Sequence, residues 1–185
     1  MNVRGQQSNV IASRVMLMVR SGSTYSLAIL SLFILSSMSP IIVEGSTLGR
    51  SQTTWSGNVN LNQDYTVAVT DELVISSCTN ITLAFASRIF VEGRLTIEGT
   101  QNCPVYLDNQ GNGDHQGIQF NSSSNGRGSK IDNLSIIDST YGITIYSSNP
   151  SLSNVSIYNP DDVGIDLFNS ATPTIRDLVI DEAGK

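Results

Sequence analysis

Between Gly117 and Asp181 one short pattern is written three times, and that repetition leaves few folds open to the chain. Gly117-Ile118-Gln119-Phe120 leads to Ile131-Asp132-Asn133-Leu134-Ser135-Ile136, Gly142-Ile143-Thr144-Ile145 to Leu152-Ser153-Asn154-Val155-Ser156-Ile157, and Gly164-Ile165-Asp166-Leu167 to Ile175-Arg176-Asp177-Leu178-Val179-Ile180. The glycines are 25 and 22 residues apart, and Asn133, Asn154 and Asp177 are 21 and 23 apart. A period in this range that drifts by a residue or two, with the slack in Ser/Asn/Gly/Pro stretches, marks a solenoid whose turns tolerate insertion.

The units read as strands. Ile-x-Ile, Ile-x-Leu and Val-x-Ile alternate with period two, use β-branched residues and are too short for helices. Ser147-Ser148-Asn149-Pro150 and Ser170-Ala171-Thr172-Pro173 fit the bends between them. Stacked as parallel strands about 4.8 Å apart, the coils would line up Ile118, Ile143 and Ile165 in one inner column and Ile136, Ile157 and Ile180 in another.

On these residues the chain resembles the right-handed parallel β-helix repeat proteins of secreted and cell-surface chains, within the pectate-lyase-like superfamily. Their coils read roughly Gly-Ile-x-apolar and Pro-x-Ile-x-Asn-apolar-x-Ile. The resemblance spans residues 53–183 and implies an all-β, right-handed parallel β-helix of about five coils. It also implies a bend ladder of stacked amides at Asn133 and Asn154, with Asp177 a departure from it. Activity is not implied, because relatives include polysaccharide lyases and hydrolases beside non-catalytic surface modules.

Residues 1–45 read as a secretory signal ahead of that domain. Arg14 and Arg20 precede the apolar run Leu27 to Leu35, and Val43 and Gly45 fit the −3 and −1 places of a cut before Ser46. The run is short for a membrane span, which needs about 20 apolar residues; left uncut it would be a membrane anchor. Translation beginning at Met16 or Met18 would remove a superfluous extension. Cleavage takes the formal charge from −6 to −8, since the segment holds three arginines and one glutamate. With no basic patch interleaved with aromatics, nucleic acid is not an expected partner; a polysaccharide or cell-surface glycan is.

Residues 46–70 are expected to supply a cap and first coil, and residues 71–185 the remaining coils. Thr53-Thr54-Trp55-Ser56-Gly57 resembles the opening strand of these β-helices, with Trp55 closing the apolar end of the stack or, alternatively, stacking on sugar. Leu73, Ile81 and Ile89 pair one coil up with Leu95, Val105 and Ile118, at separations of 22, 24 and 29. The chain stops where another Gly-Ile strand is due, so further coils are expected beyond Lys185.

The separation of 29 exposes an insertion, Asp108 to Gln116, holding the single histidine. Asp108, Asn112 and Asp114 are weak candidates for calcium, since the position that should supply a bidentate Glu is Gln119, within a strand. The segment otherwise reads as a solvated bend, and His115 lacks partners at zinc-ligand spacing. Catalysis would require paired carboxylates, or calcium carboxylates beside an Arg or Lys base. The outward columns Gln119/Thr144/Asp166 and Asp132/Ser153/Arg176 gather no such pair, and the acidic group Asp161, Asp162, Asp166 shows no base nearby. Acceptor triplets for N-glycosylation at Asn80, Asn121, Asn133 and Asn154 are no more than chance supplies.

The expected role is therefore a secreted or cell-surface, non-catalytic module, structural, adhesive or glycan-binding; the alternative is a polysaccharide lyase or glycoside hydrolase. Cys78 and Cys103 fall in bends one coil apart, and an even cysteine count in a secreted chain favours a disulfide closing a 25-residue loop.

Overall fold

The computed structural model describes residues 50–109, 111 and 113–181. The signal segment, its cleavage point and Asn112 lie outside the described residues. Among the described residues, twelve strands paired in parallel form a β-solenoid of about six turns. The first coil is β1 (Ser51–Trp55), β2 (Asn58–Leu61) and β3 (Tyr65–Val67); the second is β4 (Asp71–Ser76), β5 (Asn80–Leu83) and β6 (Ile89–Val91). The third is β7 (Arg94–Glu98), β8 (Val105–Asp108) and β9 (Ile118–Phe120). In the fourth and fifth, β10 (Lys130–Tyr146) and β11 (Ser151–Phe168) run round all three faces as single continuous strands, and β12 (Thr174–Asp181) adds two faces of a sixth. Six turns exceed the expected five because Ser51 to Val67 makes a full coil of its own.

Strand alternation sends every second side chain inward, and parallel register stacks like upon like. One inner column is Trp55, Ile75, Ile97, Ile131, Leu152, Ile175. A second is Val59, Ile81, Leu107, Ile136, Ile157, Ile180. A third, on the last face, is Tyr65, Ile89, Ile118, Ile143, Ile165. From the second coil to the fifth these columns are closed to solvent except at Ile165, which is half-buried, and each buried Leu or Ile contributes roughly 1.5–3 kcal/mol. Trp55 is half-buried at the open end of its column, edge-on to Tyr65 at 4.7 Å, where it closes the stack.

One expected register is wrong: Ile81 pairs with Leu107 and not with Val105, because the bend after β7 is longer than the one it covers. A second insertion, residues 121–129 with a 3₁₀ turn at Ser122–Ser124, is not announced by the repeat pattern. Together with the 108–116 segment it separates the paired residues Ile97 and Ile131 by 34. Both insertions leave the solenoid at corners, where the ladder of strand hydrogen bonds is already interrupted.

Candidate functional site

The corners set where polar side chains stand. Asn133, Asn154 and Asp177 all turn through the left-handed region (φ +50, +53 and +53) at stacked positions, a conformation Asn and Asp tolerate better than other non-glycine residues. Their side chains do not all bond alike: Asn133 Nδ2 donates to the Gly99 carbonyl at 3.0 Å, while Asn154 Nδ2 donates to Ser153 Oγ at 3.3 Å. Sequence reasoning missed two more left-handed corners, Asp138 under Asn159 and Ser147 under Asn169. Asn159 Nδ2 donates to Asp138 Oδ1 at 2.7 Å, and Ser147 Oγ to the Asn169 carbonyl at 2.6 Å. Their signal is an Asx or Ser following each outer strand at separations of 21 and 22. Cys78, also left-handed, meets Cys103 across coils in a disulfide with a Cα–Cα distance of 4.8 Å.

The 108–116 insertion is not simply a solvated bend. His115 is fully buried, bridged to Ser139 of the next coil. Its Nδ1 accepts from the Gly117 N–H at 2.9 Å and its Nε2 donates to the Ile137 carbonyl at 3.1 Å, which fixes one neutral tautomer. Loss of hydration on burial holds its pKa below the ordinary imidazole value. Of the calcium candidates, Asp108 accepts from the Asn109 N–H at 2.7 Å, and the Asp114 carboxyl shares a hydrogen bond with Asp161. That shared bond, partial desolvation and the charges of Asp161 and Asp138 push Asp114 up from the usual carboxylate range. Among the described residues no three His, Cys, Asp or Glu side chains converge as metal ligands.

The last face of the solenoid, formed by β3, β6, β9 and the later parts of β10 and β11, brings together residues that the sequence scatters. Phe90, Gln119, Thr144 and Asp166 form one outward column. Arg88 lies over the Phe90 ring, 5.4 Å from its centroid, and donates to Gln119 Oε1 and, at 2.7 Å, to Gln116 Oε1. Two amide oxygens hold the guanidinium in place without neutralising it. Tyr146 and Phe168 stack on adjacent coils, centroids 4.7 Å apart and planes 9° from parallel. Tyr141 donates its hydroxyl to Asp162, which raises the phenol pKa, with Arg88 working in the opposite direction. Arg88, Tyr141, Thr144, Tyr146, Asp166 and Phe168 together line an open groove of about 260 Å³. The acidic group near Asp166 is thus not an isolated turn, as expected, but is distributed between Asp114, Tyr141 and this groove. Folding over a 31-residue separation is what joins Arg88 to Gln119, so no local pattern announces it.

The first face also departs from expectation. Beneath Asp132 lies Glu98, so two carboxylates do occupy adjacent coils in the column Ser76, Glu98, Asp132, Ser153, Arg176. The long third coil hides Glu98 from a count based on a period near 22. Asp132 is nevertheless engaged by Lys130 in an ion pair, and Glu98 is exposed. Of the four acceptor asparagines, Asn80 and Asn154 are exposed, while Asn121 accepts from Gln119 Nε2 at 2.8 Å and Asn133 is tied to Gly99.

Comparison with protein-family models, curated proteins and solved structures gives no match to this chain. The class that the fold defines is an all-β parallel β-solenoid. No helix among the described residues is long and apolar enough to cross a membrane.

Proposed function

We propose that this chain is a secreted or cell-surface, non-catalytic β-solenoid module of the pectate-lyase-like kind that binds a glycan in the groove on its last face. The stacked Tyr146 and Phe168 pair at the rim of that groove carries the reading. A sugar ring offers an apolar C–H face and a rim of hydroxyls. The uncovered face of Phe168 and the outer edges of the stacked pair, beside Arg88, Asp166 and Tyr141, offer the complement to both, with few polar groups beside apolar surface. Stacking gives the groove its direction, since its residues come from the second, fourth and fifth coils and run along the stack as an extended polymer would. The Cys78–Cys103 disulfide agrees with an oxidising compartment.

The enzymatic alternative draws on one observation, the Tyr141–Asp162 pair beside Arg88. A phenol whose pKa is raised stays protonated at neutral pH and serves as a hydrogen-bond donor, not as the base a lyase requires. We favour binding over turnover on the stacked aromatic pair. Calorimetry with polygalacturonate, alginate and neutral glucans is the test, run together with assays for unsaturated products and new reducing ends. Binding without turnover, weakened about tenfold by Tyr146→Ala or Phe168→Ala (~1.4 kcal/mol), is expected. Turnover, or affinity indifferent to both substitutions, would overturn the reading.

A further inference from the structure

A second concavity, of about 470 Å³, lies between the first two coils and is lined by Asn60, Leu61, Asn62, Thr82, Leu83, Ala84 and Phe85. It shares no residue with the groove of Arg88 and Phe168. Behind it lies the core, where Leu83 is fully buried and Leu61 half-buried in one paired column. Its wall is aromatic, because Phe85 is 70% exposed.

That ring is presented and not merely left out. The backbone is pinned on both sides of it, the Ala84 N–H donating to the Leu61 carbonyl at 2.9 Å and the Ala86 N–H to the Asp114 carbonyl at 3.0 Å. Ala86 turns through φ +57. Gly113 of the insertion backs the ring so closely that a Cβ there would lie 2.9 Å from Phe85 Cδ2. The corner between β5 and β6 thus holds an exposed aromatic beside a cavity.

The polar lining is neutral and unspent. Asn58 and Asn80, just outside, bond each other at 3.2 Å. The side chains of Asn60, Asn62 and Thr82 make no hydrogen bond to described residues, so two amides and a hydroxyl face the cavity with both donors and acceptors. None of the residues lining it is charged. The carboxylate stacked above Thr82, that of Asp108, accepts from the Asn109 N–H.

We infer that this cavity is a subsite for an uncharged saccharide, whose ring lies on Phe85 and whose hydroxyls bond Asn60, Asn62 and Thr82. Its size suits one or two sugar residues, within the range of ordinary ligand sites, roughly 300–1,000 Å³. No cation lines it and the Asp108 carboxylate stands above Thr82, which selects against uronates and sulfated sugars, since these would lose hydration without gaining a counter-charge. The assignment shares with the Arg88 groove only its class of ligand, so either site can fail without the other.

The test is calorimetric titration of the whole protein with neutral hexasaccharides of glucose, mannose, xylose and galactose. At least one should bind, with Phe85→Ala and the double variant Asn60→Ala/Asn62→Ala each weakening it about tenfold or more, and Tyr146→Ala/Phe168→Ala leaving it unchanged. Melting temperatures of the variants, all at exposed or half-buried positions, should match the parent and exclude misfolding as the cause. No binding of any of the four sugars, or binding indifferent to Phe85, overturns the subsite. Neutral-sugar binding lost in the Tyr146/Phe168 variant but kept in Phe85→Ala also overturns it, while supporting the glycan-binding reading of the other groove.

Discussion

Replacing Gly117 by alanine tests the stacking itself. Gly117 has φ +66, and a Cβ built on it would lie 2.1 Å from the Gly142 carbonyl oxygen and 2.2 Å from that of Tyr141, on the coil above. Two costs follow. An L-residue in the left-handed region is disfavoured by about 1–2 kcal/mol. Overpacking ordinarily costs about 1–3 kcal/mol when side chains can give way, but here the obstacle is backbone fixed by pairing on both faces, so the upper end applies. The sum is about 4–5 kcal/mol. Gly126 separates the two contributions, since its φ is +68 and a methyl group placed on it would meet nothing within 4 Å, so Gly126→Ala bears the first cost alone. At about 2–4 °C per kcal/mol for a chain of this size, Gly126→Ala should lower Tm by about 4 °C and Gly117→Ala by about 12 °C. Thermal melts followed by circular dichroism at about pH 7 measure both. If the two variants melt within about 2 °C of each other, the third and fourth coils are not packed as closely as the register requires, and the reading of the repeated glycines as stacking positions fails.

Reducing the Cys78–Cys103 bridge, or replacing both residues by serine, releases a loop of 25 residues. Chain-entropy arithmetic gives a loss of about 3.5 kcal/mol, to be read from denaturant melts with and without reductant. His115 gives a pH signature: its folded pKa is depressed, so the unfolded chain binds the extra proton, and stability present above the ordinary imidazole value falls as pH drops below about 6.5. His115→Gln should flatten the Tm profile between about pH 7 and about pH 5, and an unchanged profile would refute the neutral buried ring. Asp114 acts with the opposite sign, its raised pKa making the folded state the stronger proton binder, so stability is lost as pH rises through the carboxylate range. Asp114→Asn should therefore raise Tm at about pH 7, slightly because the group is solvated, and added salt should shrink the difference.

Sequence alone determined the solenoid and most of its register. Period-two apolar triplets recurring at 21 to 25 residues can bury their faces only by stacking, and Ile118, Ile143 and Ile165 occupy the one column that arithmetic allows. The cysteine pair is legible for the same reason, although Ile81 beside it stacks two residues further along the next coil than the spacing implies. Periodicity is a property of the regular part of a coil, and it carries no information about corners of variable length. Two insertions in the third coil therefore hide Glu98 under Asp132 and conceal how His115 returns into the core. The candidate site was decided by tertiary structure. Arg88, Tyr141, Tyr146, Asp166 and Phe168 belong to three coils, and only parallel stacking brings them to one face. Phe85 likewise looks like one more apolar strand residue until a left-handed turn at Ala86 and the missing side chain of Gly113 hold its ring toward solvent. A linear pattern records which residues alternate; which outward-facing residues become neighbours depends on coil lengths that only the folded chain fixes.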